Sequence, residues 1–165
     1  MFRVLGLVVS ILFLSASIAS AQCPRPYDVF EADYDNGWGD NSQSKSGPLR
    51  PGDSYEMKFI AQGGMKYRVS VASGNEQFSK ENVEFQLVGS EVRKVKENGK
   101  MIYKRVDVVF YDSEESKEGQ KAEVFSTRTK RLKVRIKLKG AEDSKLMQCV
   151  VVFIETKRPE ALGLK

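Results

Sequence analysis

The sequence contains no histidine among its 165 residues and only two cysteines. Histidine is the side chain whose ordinary pKa lies nearest to neutrality, so its absence excludes Ser-His-Asp and Cys-His catalysis and every histidine-ligated metal site. Two cysteines cannot build a four-cysteine zinc site either. We therefore expect a protein that is not an enzyme and that carries no metal or other cofactor.

Long apolar runs are equally scarce, since the only one is Val4–Leu14. That run is too short to span a bilayer comfortably. Arg3 precedes it, and Ala19-Ser20-Ala21 follows with the small-x-small pattern of a cleavage site. The pattern predicts that residues 1–21 are a signal peptide and that the protein is exported to the periplasm or the extracellular space. The remainder has no transmembrane segment.

The two cysteines lie near opposite ends of the exported chain, at Cys23 and Cys149. In an oxidising compartment an even pair usually forms a disulfide. Such a bond would close a loop of roughly 127 residues and stabilise the fold by on the order of 4–5 kcal/mol through chain entropy. Two alternatives stay open, namely two free thiols and lipidation of Cys23, for which Gln22 is an unfavourable preceding residue.

Removal of the signal peptide changes the charge only slightly. The whole chain has 27 cationic and 22 acidic residues, a net charge of +5, and Arg3 is the only charge in the signal. The exported part therefore carries +4 and about 144 residues, which suits one domain. We predict a single β-sandwich domain over 22–158 and a flexible tail over 159–165.

Apolar and polar residues alternate along most of the chain, and no ten-residue segment shows a helical period. Asn98-Gly99 between two such runs is a strong signal for a hairpin with a type I′ turn. Leu146–Thr156 is apolar on both faces, which is typical of a central strand. The pattern predicts an all-β fold, an antiparallel β-sandwich or jelly-roll-like arrangement of about eight to nine strands.

Several local expectations follow from the same alternation. Tyr55–Phe59 and Tyr67–Val71 flank Gly63-Gly64 and are expected to form a hairpin. A strand that begins at Val83 is expected to break at Gly89. Tyr27–Tyr34 is a candidate additional strand, and 35–53 is expected to be irregular.

One loop combines the only tryptophan with several side-chain oxygens. The candidate ligand-binding residues are Trp38, Asp35, Asn36, Asp40 and Asn41. The tryptophan could stack on a sugar ring while the polar groups bond its hydroxyls; alternatively, it is a plug that closes the core. The oxygens could also hold Ca²⁺, but the spacing is wrong for an EF-hand, so the less favoured calcium site competes with a simple glycine-rich turn.

A basic ladder stands in the second half of the chain. Its members are Arg131, Lys133, Arg135, Lys137 and Lys139, which alternate with apolar residues. Strand geometry places all five on one face, where they could attract an anion or an acidic partner. The alternative is a solvated face whose cations pair with acids such as Glu84, Asp107 or Glu123 on neighbouring strands.

Residues 47–71 carry a family resemblance. Gly47-Pro48-Leu49-Arg50-Pro51-Gly52-Asp53-Ser54-Tyr55, then Gly63-Gly64 and Lys66-Tyr67-Arg68-Val69-Ser70-Val71, resemble the opening strands of bacterial pre-peptidase C-terminal-type domains. The order of elements is also similar to that of uncharacterised exported bacterial β-proteins. The resemblance implies a jelly-roll-like accessory domain with no catalytic residues and with a partner of its own.

Together these features predict an exported, non-catalytic binding or accessory module for an envelope component, either an anionic glycan or a protein partner. The alternative is a structural subunit of an envelope assembly with no ligand site. A nucleic-acid partner is not expected, because the aromatic residues are scattered among core positions and the net charge is small.

Overall fold

The computed structural model describes residues 23–75, 77–116, 121–140 and 146–159. The predicted signal peptide (1–21) and, apart from Pro159, the predicted tail (159–165) lie outside the described residues. A four-residue helix, α1 (Pro26–Val29), and a 3₁₀ turn (Tyr34–Asn36) come first. The strands are β1 (Gly39–Asp40), β2 (Lys45–Leu49), β3 (Ser54–Ala61), β4 (Met65–Gly74), β5 (Phe78–Ser79), β6 (Val83–Glu97), β7 (Lys100–Asp112), β8 (Lys121–Ser126), β9 (Lys130–Leu138) and β10 (Gln148–Lys157).

The strands form two antiparallel sheets. Sheet A contains β1, β2, β4, β5, β8 and β10, and sheet B has the strand order β3-β9-β6-β7. This arrangement confirms the predicted all-β antiparallel sandwich. The described residues hold ten strands rather than eight to nine, because the short strands β1 and β5 have too few residues to show an alternation.

The core lies between the sheets and follows from the alternation. Phe59, Phe85 and Leu132 point inward from sheet B, and Tyr67 and Ile154 point inward from sheet A, each 2% exposed or less. Burying each such side chain contributes about 1.5–3 kcal/mol. Where the two sheets face each other, the period of two therefore determines which face of a strand is buried.

β10 is the central strand of sheet A, as its apolar run predicts. It pairs with β4 along one side, from Cys149 opposite Gly74 to Lys157 opposite Lys66. Along the other side it pairs with β1 and β2. The stretch 35–53 is therefore not simply irregular. Its strands are too short and too rich in glycine and proline to give a sequence signal.

The outer face of β10 is covered by the N-terminal segment of the described chain. Phe30 stacks on Phe153 with ring centres 5.5 Å apart, and Tyr27 meets the same ring edge-on at 6.0 Å. The prediction of a strand over Tyr27–Tyr34 is wrong. Pro26 begins α1, where its fixed φ suits the first helical turn, and the 3₁₀ turn ends at Gly37 with φ +74°.

A disulfide ties this segment to sheet A. Cys23 and Cys149 are bonded, with their Cα atoms 5.3 Å apart and 126 positions apart in sequence. The prediction of this pairing is confirmed. The bond anchors the first described residue to the beginning of the central strand.

The predicted hairpin of Tyr55–Phe59 with Tyr67–Val71 is wrong. Gly63-Gly64 is a turn, but it carries the chain from β3 in sheet B to β4 in sheet A. β3 pairs with β9 instead, with Met57 opposite Val134. Alternation predicts which face of a strand is buried, and it says nothing about which strand lies beside it.

β6 does not break at Gly89, contrary to expectation. It runs on to Glu97 with a bulge between Leu87 and Val88, and a Cβ at Gly89 would collide with the ring of Phe110. The glycine therefore makes room for an aromatic ring on the neighbouring strand. The Asn98-Gly99 turn is confirmed, since both residues have positive φ (+51° and +80°) and the strands on either side pair.

The disulfide generates the first testable prediction. Replacing both cysteines by serine should lower the free energy of unfolding by up to about 4 kcal/mol, because the open chain regains loop entropy when it unfolds. Urea denaturation followed by circular dichroism measures the change. Reduction of the wild-type protein should give the same shift and should not affect the double variant; an unchanged midpoint would contradict the role of the bond.

Candidate functional site

The basic ladder occupies the outer face of sheet B. On β9 the intervening side chains Leu132, Val134, Ile136 and Leu138 are buried at 2% exposure or less. The five predicted residues, Arg131, Lys133, Arg135, Lys137 and Lys139, are half-buried or exposed on the opposite face. The sheet brings β3 to one side of this row and β6, followed by β7, to the other.

Acidic residues neutralise the middle of the ladder. Asp107 on β7 lies 3.2 Å from Lys133 Nζ and also accepts a hydrogen bond from Arg135. Glu56 on β3 accepts from Arg135 Nε at 3.2 Å. Lys139 pairs with Glu84 at 3.4 Å. The carboxylates of Asp107 and Glu56 therefore hold the side chains of Lys133 and Arg135 against the outer face of sheet B.

The same contacts shift the pKa values of these groups. The hydrogen bond from Arg135 lowers the pKa of Glu56, and the hydrogen bond from Lys133 lowers the pKa of Asp107. The hydrogen bond to Glu56 raises the pKa of Arg135 in turn. These shifts keep Glu56, Asp107 and Arg135 charged at neutral pH, so their ion pairs are present there. Glu123, the third acid expected there, pairs with Arg68 on sheet A at 2.8 Å.

One end of the ladder keeps its positive charge. A groove of about 580 Å³, which we call the basic groove, is lined by five cations and one acid: Lys58, Arg105, Lys130, Arg131, Lys133 and Asp107. Among the described residues, Arg105, Lys130 and Arg131 form no salt bridge. An anion entering the groove would therefore meet cations that no carboxylate already occupies.

The basic groove continues onto a two-stranded ribbon, residues 90–107. Beyond Gly89, β6 has no pairing with β9, and β6 and β7 pair only with each other in the described chain. We call the side of the ribbon that is continuous with the outer face of sheet B its outer side, and the opposite side its inner side. On the outer side, three residues with apolar or aromatic side chains lie opposite three cations across the two strands. The pairs are Val92 with Arg105, Lys94 with Tyr103, and Lys96 with Met101.

The two sides of the ribbon differ in charge balance. On the inner side Arg93 pairs with Glu91 at 3.2 Å and Lys104 pairs with Glu97 at 3.7 Å. On the outer side, no described acid forms a salt bridge with any of the three cations. Tyr103 stands among them with 75% of its surface exposed. The unpaired charge and the exposed ring therefore share one side with the basic groove.

Sequence reasoning did not single out the ribbon or Tyr103. A signal was present after the turn, because the run Lys100–Asp112 that follows Asn98-Gly99 has 13 residues while β9 has nine. A hairpin longer than its neighbour must project beyond the sheet. The apolar residues in its arms then remain exposed instead of entering the core.

Trp38, the centre of the other predicted site, does not present a binding face. It is 5% exposed, and the Arg68 guanidinium carbon lies 4.1 Å from the ring centre. Arg68 is held there by Glu123 and by the buried Glu155, 3.7 Å away. A sugar ring has no access to this tryptophan, which packs on sheet A and not over the end of the sandwich.

The polar residues of the same loop bond mainly with the loop itself. Asp40 accepts a hydrogen bond from the Tyr34 hydroxyl at 2.9 Å. Asn36 donates to the Asp33 carboxylate at 2.8 Å, and Asn41 accepts from the backbone N–H of Gln43 at 2.9 Å.

Asp35 lies between Tyr34 and Asn36 in the 3₁₀ turn. Within the described ranges, no group of three or more acidic or cysteine side chains is placed to hold a metal ion. The structure therefore does not assemble the five predicted loop residues into a single site.

Comparison with known proteins found no match to this chain, either among the models of known families or among the curated proteins. Within the described segments, no helix has the length and apolar character needed to cross a bilayer. The candidate site therefore consists of the basic groove and the outer side of the ribbon, and it is supported by the geometry of these two surfaces.

The lowered pKa values generate a prediction about acid stability. A carboxylate whose pKa is lowered by folding stabilises the protein above its ordinary pKa of about 4, and this contribution is lost as the pH falls through the folded value. Asp107→Asn should therefore be less stable than wild type at pH 7, and the difference should shrink toward zero on acidification. Urea midpoints across this range measure it. Asp35→Asn is the matched control, and a pH-independent gap for Asp107→Asn would contradict the assignment.

Proposed function

We propose that this protein is an exported, non-catalytic binding module that holds an anionic glycan of the cell envelope against the basic groove and the outer side of the ribbon. The observation that carries the proposal is the cluster of cations without acidic partners beside the exposed ring of Tyr103. Of the two candidate surfaces that the sequence offered, the tryptophan loop and the basic ladder, this surface includes one end of the ladder, at Arg131 and Lys133.

The chemistry of an acidic polysaccharide matches both parts of this surface. Its carboxylate, phosphate or sulfate groups accept hydrogen bonds from arginine and lysine, and arginine can bind them in two-pronged fashion. The apolar face of a sugar ring can pack on an exposed aromatic ring such as Tyr103. Cations on one face of a strand repeat about every 6.6–6.8 Å, which suits a polymer that carries charge along its length.

The disulfide supports the exported location. Stable disulfides are characteristic of oxidising compartments and rare in the cytosol. In the bonded form, the sulfur of Cys23 is not available for a lipid, which favours ordinary cleavage of a signal peptide over lipidation. The accessory role implied by the resemblance of residues 47–71 to pre-peptidase C-terminal-type domains belongs to the same class of function.

A second candidate function has an observation of its own. Along the ribbon, β6 and β7 each pair on one side only in the described chain, so both outer edges offer free backbone hydrogen-bonding groups. A strand of another subunit could pair there, as edge strands do in assemblies. A structural subunit of this kind would associate through the ribbon with little dependence on salt and would bind no glycan.

Reversing the unpaired charges tests the first proposal. The triple variant Lys94→Glu, Arg105→Glu and Arg131→Glu should bind immobilised alginate or dextran sulfate about 10- to 100-fold more weakly than wild type, because three attractions become repulsions. Wild-type binding should weaken as salt rises, while neutral dextran should not bind. Biosensor titrations at several salt concentrations measure both effects.

A variant with the same change in net charge is the control. Lys66→Glu, Lys121→Glu and Arg158→Glu alter exposed residues outside the groove and the ribbon. This protein should keep most of the affinity. Equal losses in the two triple variants would show that net charge alone drives binding, and absence of binding by wild type would overturn the proposal.

Tyr103 gives a separate prediction. Tyr103→Ala should weaken alginate binding about three- to tenfold through loss of ring packing, and Tyr103→Phe should retain it. Because the side chain is 75% exposed, neither change should move the unfolding midpoint by much. If Tyr103→Ala binds as wild type does, the ring is not part of the binding surface.

A further inference from the structure

The two sheets leave an opening between β2 and β3. In the described chain β2 pairs only with β10, and β3 pairs only with β9, so these strands are edges of their respective sheets. A cavity of about 250 Å³ lies between them, lined by residues of β2, β3, β9 and β10. It shares no lining residue with the basic groove.

The cavity exists because β2 supplies only one apolar side chain from its end, Leu49, to this part of the core. Val150 and Val152 point into the core from β10, and their partners on β2 are Gly47 and Lys45. A Cβ at Gly47 would meet no atom within 4 Å. The side chain of Lys45 is exposed and leaves the space beside Gly47 empty.

The interior of the cavity is apolar and its mouth is basic. Met57, Ile136, Val150 and Val152 line it and are each 6% exposed or less. Tyr55 stands at the edge with 53% exposure. Lys45 is the only charged residue in the lining, and no described acid forms a salt bridge with it. A ligand that fits must be apolar at one end and anionic at the other.

We propose that this cavity binds the chain of a medium-chain fatty acid, with the carboxylate at the mouth beside Lys45. Pockets for drug-sized ligands measure about 300–1,000 Å³, so a cavity of about 250 Å³ suits a single unbranched chain. The ammonium group of Lys45 provides the charge complement, and the four buried apolar residues provide the surface for the chain. This site does not rest on glycan binding, because it lies at a different edge of the sandwich.

A chain-length series tests the proposal on the full protein. Octanoate, decanoate and dodecanoate, titrated by calorimetry below their micelle concentrations, should bind with affinity that rises about fourfold per added methylene until the cavity is full. Decanol should bind more weakly than decanoate. Equal affinity for all lengths, or no binding of any acid, would overturn the proposal. Binding of lysophosphatidylglycerol without binding of the free acids would overturn the choice of ligand.

Two variants address the cavity and its charge separately. Gly47→Leu should fill the space and reduce decanoate affinity at least about tenfold, since the transfer of several methylenes is lost. Lys45→Gln should weaken decanoate but not decanol, and Lys66→Gln is its matched control. Unchanged decanoate binding by Gly47→Leu would place the ligand elsewhere.

A measurement on the wild-type protein tests the proposal even if Gly47→Leu does not fold. With ¹³C-methyl-labelled methionine, decanoate should shift the NMR signal of Met57 in the cavity and leave that of Met101 on the ribbon in place. A shift at Met101 without one at Met57 would overturn the site and would point to the ribbon surface instead.

Discussion

The fold depends on one requirement, that the central strand β10 be covered on both faces. Its inner face meets sheet B, while its outer face carries Phe153 and the carboxylate of Glu155, which is only 3% exposed. A buried carboxylate is costly unless it is paired and hydrogen-bonded. Arg68 lies 3.7 Å away, and the backbone N–H of Asp33 donates to the carboxylate at 3.1 Å. These contacts hold the N-terminal segment on sheet A. The guanidinium group of Arg68 also packs against the ring of Trp38.

In the part of the chain that the structure describes, no segment covers sheet B in this way, and the chemistry of its outer face follows from that difference. Its outer face is in contact with water, so its strands alternate apolar residues with charged ones. Where all four strands of sheet B lie together, acids and bases neutralise one another, as Glu56, Asp107 and Arg135 do. Where the ribbon leaves the sheet, fewer strands are available to supply acids. The unpaired positive charge thus collects at the point where the sheet narrows from four strands to two.

Much of the fold could be predicted because it depends on local pattern. The alternation of Leu132–Leu138 predicts β9 and its two faces, and an even pair of cysteines that follows a predicted signal peptide predicts their bond. Strand pairing could not be predicted in the same way. The turn at Gly63-Gly64 looks identical whether the chain doubles back within a sheet or crosses to the other one. The candidate site was predicted in part, since the ladder was visible, whereas the cover over Trp38 depends on Arg68 and Glu155, which are distant in sequence.

The position of β10 in the chain also determines when sheet A can form. Within the described chain, β1 and β2 pair only with β10, so these strands cannot pair until β10 has been synthesised. Pairings between such distant segments make folding slow, because the chain loses the entropy of a large loop before any stabilising contact forms. In a nascent chain, sheet A therefore stays incomplete until β10 has emerged, whereas the described pairings of sheet B involve only residues 54–138 and can form earlier. The two sheets of the sandwich thus become complete at different times during synthesis.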